Sequence, residues 1–178
     1  MKLRRARLVP YRLPLRRGLS TARGPVLERR GWLLELGTDS GEVGRGDACP
    51  FPGDENPAAA RDGFGMESWP VCGERLEGLA AGLMGRGVSE ALAFLDSPEG
   101  SAPDAPAARF ALDCALSELA ARSKACSVAT WLAEAQGHGA QARLAVSALV
   151  SGECEEEIVA EAAALGRAGF QTFKLKLG

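Results

Sequence analysis

The 178-residue sequence predicts an α+β domain, a three-stranded antiparallel meander plus helices, followed by the first βαβ unit of an incomplete (β/α) barrel. Three observations carry this reading. The opening third alternates apolar and polar residues at the two-residue period of strands. From Ser68 onward the period becomes helical. The last stretch then runs as an apolar strand, an acid-headed helix and a strand ending in Lys174-Leu175-Lys176. Residues 1–140 are expected to form the first domain and residues 141–178 the start of the barrel.

Residues 2–16 alternate as a strand, with Pro10 and Pro14 marking an edge, where a missing N–H is tolerated. Gly18 to Pro25 reads as a loop, and residues 26–37 as a second strand. Thr38-Asp39-Ser40-Gly41 is a hairpin turn signal, with a short third strand over 42–47. The segment Ala48–Pro57 is too rich in proline for a helix or a central strand. Ser68 as N-cap, with Pro70 close behind, opens a helix to about Met84. Ser89 is the expected cap of a second helix carrying Leu92 and Leu95. Residues 96–106 form a loop, and Pro106 starts the clearest helix, running through Arg122. On it Phe110, Cys114 and Ser117 share one stripe, with Leu112, Leu116 and Leu119 beside them. A short helix after Ser127 ends at Gly137-His138-Gly139, where His138, the one histidine, reads as a solvated neighbour of a helix C-cap.

Residues 144–150 form a near-continuous apolar strand, as at a parallel position covered on both faces. Ser151-Gly152 is read as the start of the next helix. Glu153, Glu155, Glu156 and Glu157 stand in its first turn, where the helix dipole favours acids. They are read as dipole complements and not as a metal site. Ile158, Ala162 and Leu165 supply the inner stripe, and Gly169 ends the helix. Two parallel strands do not close a barrel, and a closed one needs about 250 residues. The chain is therefore expected to be the front of something larger.

Charge is unevenly spread. Residues 1–30 hold ten of the 21 Lys and Arg and only Glu28 among the acids. Leu3, Val9, Leu13 and Leu15 interleave with the arginines, so the run reads as a solvated sheet face. Neither a nucleic-acid arm nor a targeting peptide is expected. No segment reaches the ~20 apolar residues of a membrane span. Five cysteines are scattered and odd in number, with no Cys-x-x-Cys pair. This argues against a zinc site or a disulfide framework and for reduced thiols in the cytoplasm. Cys114 is expected in the core.

The candidate chemistry sits at the end of the chain. Side chains alternate along a strand, so Lys174 and Lys176 share one face while Phe173, Leu175 and Leu177 share the other. Two ammonium groups on one face resist burial together, so that face is wet. Helices outside and paired lysines inside suit the mouth of an α/β barrel, where a like charge tunes a lysine toward neutrality for proton transfer. Spacing alone favours the plainer alternative, an edge strand whose lysines discourage aggregation.

This order of parts, with Lys174-Leu175-Lys176 on the second barrel strand, resembles the enolase superfamily. There an α+β capping domain precedes a modified (β/α) barrel. Arg29-Arg30-Gly31-Trp32-Leu33-Leu34 and Gly44-Arg45-Gly46-Asp47-Ala48-Cys49-Pro50-Phe51-Pro52-Gly53 are most similar to the o-succinylbenzoate synthase family within it. The latter resembles Gly-x-Gly-Glu-x-x-Pro-Leu-Pro-Gly, with Asp47 in place of Glu and Phe51 in place of Leu. Ala108–Leu116 resembles the helix that closes the family's cap.

The resemblance implies abstraction of a proton α to a carboxylate, with Mg²⁺ holding the enediolate, as the superfamily is known to do. It makes Lys176 the general base that then protonates the departing hydroxyl, and Lys174 its electrostatic partner. Loops 18–24 and 48–57 would cover the barrel mouth, with Thr21 and Arg23 as substrate-binding candidates. The family's metal ligands, on the third to fifth barrel strands, match no residue of this sequence. The 178 residues alone are therefore expected to bind no Mg²⁺ at that site and to lack dehydratase activity. The implied partners are a small-molecule carboxylate substrate and either the remaining barrel half or an oligomeric partner. Two other readings stand beside this one. One is a dipeptide epimerase or muconate cycloisomerase on the same scaffold; the other is a stand-alone, non-catalytic cap module.

Overall fold

A computed structural model of the chain describes residues 1–19, 25–51, 67–152 and 154–175. The chain divides into two compact units, Met1–Gly139 and Ala140–Gly178.

The first unit opens with β1 (Leu3–Leu19), β2 (Val26–Thr38) and β3 (Val43–Ala48), an antiparallel sheet in the order β1-β2-β3. The strand β1 runs past the expected end at residue 16. It is an edge strand, so Pro10 and Pro14 cost the ladder nothing. The β2–β3 turn closes with Thr38 N–H donating to the Glu42 carbonyl at 2.9 Å.

Four helices follow: α1 (Trp69–Leu83), α2 (Val88–Leu95), α3 (Pro106–Ser123) and α4 (Val128–Ala135). Ser68 caps α1 through its hydroxyl, as expected, and Ser127 caps α4 in the same way. Gly137 (φ +73°) ends α4, and His138 N–H reaches back to the Ala133 carbonyl at 2.8 Å. That is the geometry of a left-handed C-cap.

Two expectations fail here. Gly87, not Ser89, precedes α2, and the Glu90 carboxylate accepts from Gly87 N–H at 2.8 Å. A side chain reaching back one turn does the work that a capping serine would. On α3 the buried stripe is Ala108, Ala111, Leu112, Ala115, Leu116 and Leu119, whereas Phe110 is 62% exposed. Cys114 is only half-buried. The alanines face inward because α3 lies directly on β3: a Cβ added at Gly46 would overlap the Ala111 carbonyl, and one at Gly44 the Ala115 carbonyl. The Gly-x-Gly of one sequence motif and the alanine face of another are thus the two halves of a single contact. Leu34 and Leu36 of β2 and Leu76 and Leu83 of α1 complete this core.

The second unit is β4 (Ser147–Val150), α5 (Glu155–Arg167) and β5 (Thr172–Leu175), with β4 and β5 paired in parallel. The strand β4 is shorter than expected, since Leu144 and Val146 lie outside it and are exposed. The helix begins at Glu155 behind Cys154, not at Ser151-Gly152; Ser151 N–H instead donates to Glu161 at 2.8 Å. Ile158, Ala162 and Leu165 are half-buried, as a single helix over two strands allows.

Candidate functional site

The register of the parallel pair sets Ala148 beside Phe173, Leu149 beside Lys174 and Val150 beside Leu175. Ala148 and Val150 are buried at 6% and 1% exposure, while Leu149 is 44% exposed. Residues two apart share a face, so β4 has one buried and one open face, whereas all four residues of β5 are exposed, Phe173 at 38% and Leu175 at 52%. Lys174 lies on the open face with Leu149, flanked along the strands by Ser147 and Thr172, all exposed. Phe173 lies on the other side with Ala148, within ordinary packing distance of Gly166 of α5. Along β5 an aromatic and a leucine alternate with threonine and lysine. Lys176, Thr21 and Arg23 lie outside the described residues.

In the first unit, sequence reasoning missed a polar cluster at the stem of the 48–57 loop. Tyr11 and Asp47 sit on the outer strands flanking Gly31 and Leu33 of β2. Tyr11 Oη–H donates to Asp47 Oδ1 at 2.6 Å. Burial pushes the Tyr11 phenol up from its usual range, and the bonds to Asp47 and Cys49 push it further, so it remains a donor. Arg29 Nη2 donates to the Cys49 carbonyl at 3.1 Å and contacts Cys49 Sγ at 2.9 Å. Its guanidinium lies 5.7 Å from the centre of the Phe51 ring. Asp47 and Phe51 are the two departures from the resembled motif, and each has a partner here: the tyrosine for the shorter acid, the arginine for the ring. One signal was available, since Tyr11 is the only tyrosine, set in a strand of arginines and leucines.

The described residues that resume at Glu67 are held as well. Trp32 and Trp69 stack at 4.6 Å, and Trp32 Nε1–H donates to the Trp69 carbonyl at 3.2 Å. Glu67, only 5% exposed, accepts from the N–H groups of Ala107 and Ala108 at 2.6 and 3.2 Å. It caps α3, whose own N-cap residue, Ala105, has no side-chain acceptor.

Magnesium favours carboxylate oxygens. Among the described residues no three His, Cys, Asp or Glu side chains stand close enough to hold an ion. The acids of α5's first turn, Glu155, Glu156 and Glu157, lie at a helix N-terminus, as the dipole favours. The described residues therefore do not fit a magnesium site, and no chemical step is assigned to one.

No family model matches the sequence, and no curated protein is significantly similar to it. Solved structures are. An L-Ala-D/L-Glu epimerase from Bacillus subtilis matches with TM-score 0.81 and 24% identity over 99% of this chain and 45% of its own. A mandelate racemase/muconate lactonizing protein from Herpetosiphon aurantiacus matches with TM-score 0.79 and 21% identity over 99% and 45%. The fold is the enolase-superfamily cap and the start of its barrel. A dipeptide epimerase from Methylococcus capsulatus, solved with Mg and the dipeptide L-Arg-D-Lys, matches with TM-score 0.77 and 28% identity over 99% and 46%. The chain spans a little under half the length of these enolase-superfamily structures. Among its described residues no helix is long and apolar enough to cross a membrane.

Proposed function

We propose that the chain is the N-terminal part of an enolase-superfamily enzyme of the o-succinylbenzoate synthase type. This is a hydro-lyase that converts 2-succinyl-6-hydroxy-2,4-cyclohexadiene-1-carboxylate to 2-succinylbenzoate for menaquinone synthesis. The observation that carries the superfamily reading is exposed Lys174 beside Leu149 on one face of a parallel strand pair, with Ala148 and Val150 of β4 buried on the other. The finer reading rests on the motifs at 29–34 and 44–53.

In this reading the Lys-x-Lys spacing assigns Lys176 to the face of Lys174. As general base, its neutral amine takes the proton from the carbon α to the substrate carboxylate. The C–O bond of the ring hydroxyl then breaks, and the same proton leaves with it as water. The Lys174 ammonium opposes a second positive charge nearby, which favours the neutral amine of Lys176. It also sets a cation beside the substrate carboxylate. Thr21 and Arg23 are assigned to substrate binding, and the 48–57 loop to specificity. Magnesium supplies further positive charge in the complete enzyme; its ligands are not among the residues carried over here. The five free cysteines agree with a cytosolic location.

A second reading, dipeptide epimerisation, is favoured by the epimerases among the similar structures. A substrate panel separates the two. The polypeptide as it occurs in the cell is assayed for dehydration of the cyclohexadiene carboxylate, epimerisation of dipeptides and cycloisomerisation of muconate. Dehydration as the dominant activity supports the first reading. Epimerisation or cycloisomerisation as the dominant activity replaces it, and inactivity on all three removes both.

A further inference from the structure

Among the described residues β1 pairs on one side only, with β2, and the pairing fixes the direction of its other edge. Arg45 N–H turns away from β2 and donates to Glu118 at 2.7 Å. Gly44, Gly46 and Ala48 are therefore the residues of β3 that bond to β2, at Leu36, Leu34 and Trp32. The alternate residues of β2, Leu33, Glu35 and Gly37, bond to β1 at Val9, Arg7 and Arg5. This leaves the N–H and C=O groups of Ala6 and Leu8 directed outward. Pro10 follows in the same set, where the missing donor costs nothing.

At its N-terminal end this edge bonds to the connection between α1 and α2. Leu3 N–H donates to the Arg86 carbonyl and Gly85 N–H to the Leu3 carbonyl, both at 2.9 Å, and Lys2 bridges Gly87 in antiparallel fashion. This pairing stops at Leu3. Beside the next outward residues lies an open cavity of about 700 Å³, lined by Ala6, Leu8, Trp32, Gly73, Glu77 and Met84 among others. It has room for side chains entering from the edge, over a lining in which Leu8, Trp32 and Met84 are joined by Arg4, Arg5, Glu74 and Glu77.

We propose that this edge is a docking site for an acidic polypeptide segment in extended conformation, which adds to the sheet beside Ala6 and Leu8. Charge selects the occupant. The strand carries Arg4, Arg5 and Arg7 over this window. Among the described residues Arg5 enters no ion pair, and its side chain lies over Gly37 on the sheet face away from the helices. A second copy of β1 laid alongside would set arginine against arginine, so self-pairing is opposed. A strand with Asp or Glu at alternate positions meets Arg5 and Arg7 on one face. Its intervening apolar side chains enter the cavity against Leu8 and Trp32. The proposal does not depend on the catalytic reading.

The probe is a blocked heptapeptide of alternating glutamate and valine, with a lysine–valine peptide as control. Both are added to the 178-residue chain while amide hydrogen exchange is followed residue by residue. The glutamate peptide is expected to slow exchange at Ala6 and Leu8 by about tenfold or more, with the effect weakening as salt is raised. Leu8→Pro removes one outward N–H and is expected to abolish the effect. Should that variant fold poorly, Arg5→Glu carries the test: it is expected to weaken the glutamate peptide and admit the lysine one. Unchanged exchange at Ala6 and Leu8, or equal protection by both peptides, overturns the proposal.

Discussion

Gly46 is the residue on which the first unit turns. Its Cα–H lets α3 rest on β3, and a methyl group there would meet the Ala111 carbonyl oxygen. Gly46→Ala is expected to cost at least the ~1–3 kcal/mol of an overpacked core, because the clash is with backbone; urea denaturation measures it. Glu67 has the opposite role, adding a bond where α3 has none of its own. Glu67→Ala is expected to cost about 1–2 kcal/mol, the upper range of a lost cap. A change below a few tenths would mean that water replaces it. Thiol chemistry reads burial directly. Cys72 has no exposed surface, and burial, with Glu67 alongside, pushes its thiol well above the usual range. Cys154 is exposed. Mass spectrometry of a timed alkylation is therefore expected to find Cys154 modified first and Cys72 last. Neither Gly46 nor Glu67 stood out in the sequence as a contact. Each acts on a partner 40 or more positions away, and sequence patterning reports only neighbours within a few turns.

At the scale of elements, what was legible was local. The turn at Thr38–Gly41, the serine cap of α1 and the proline-led start of α3 each depend on residues within one turn. The α3 stripe was misread because large residues were taken to mark the inner face, whereas close contact with β3 selects alanine. The α3–β3 contact is also fastened by charge. Glu118 accepts from Arg45 N–H and pairs with Arg122 at 2.7 Å. Partial burial would raise its carboxyl, but the bonds from Arg122 and Arg45 outweigh this and hold it below the usual range. Its folded-state pKa is thus lower than its unfolded one. Its stabilising contribution is whole above about pH 4.3 and is lost as the pH falls through the folded value. Glu118→Gln is expected to flatten the acid limb of the stability–pH curve; an unchanged limb would show that other acids control it. The strand β5 was legible from Thr-Phe-Lys-Leu, but its exposure on both faces was not, nor were the Arg29–Cys49–Phe51 contacts, which join residues about 20 positions apart.

Across the whole molecule the two units differ in what they bury. The first has a continuous core of leucines and alanines from sheet and helices. Among the described residues of the second, Ala140–Gly178, only Ala148 and Val150 are buried, with Leu149, Val159 and Leu175 all exposed. Units of about 40 residues seldom sustain a core by themselves. Native-state hydrogen exchange is therefore expected to be slowest at Leu34, Leu36 and the centre of α3, and faster by orders of magnitude over β4 and β5. Equal protection in both units would contradict this. The same imbalance leaves a lysine-bearing sheet face open where the proposed chemistry needs access.

The paired amines are the centre of the account. They are tested most directly by solvent exchange in D₂O. The polypeptide as it occurs in the cell is given its carboxylate substrate, and deuterium entering the α-carbon is followed by NMR. Lys176→Ala is expected to lower that rate by roughly 10²–10⁴, the usual worth of a positioned base, and Lys174→Ala by a smaller factor. Wild-type exchange that persists in Lys176→Ala would contradict the account.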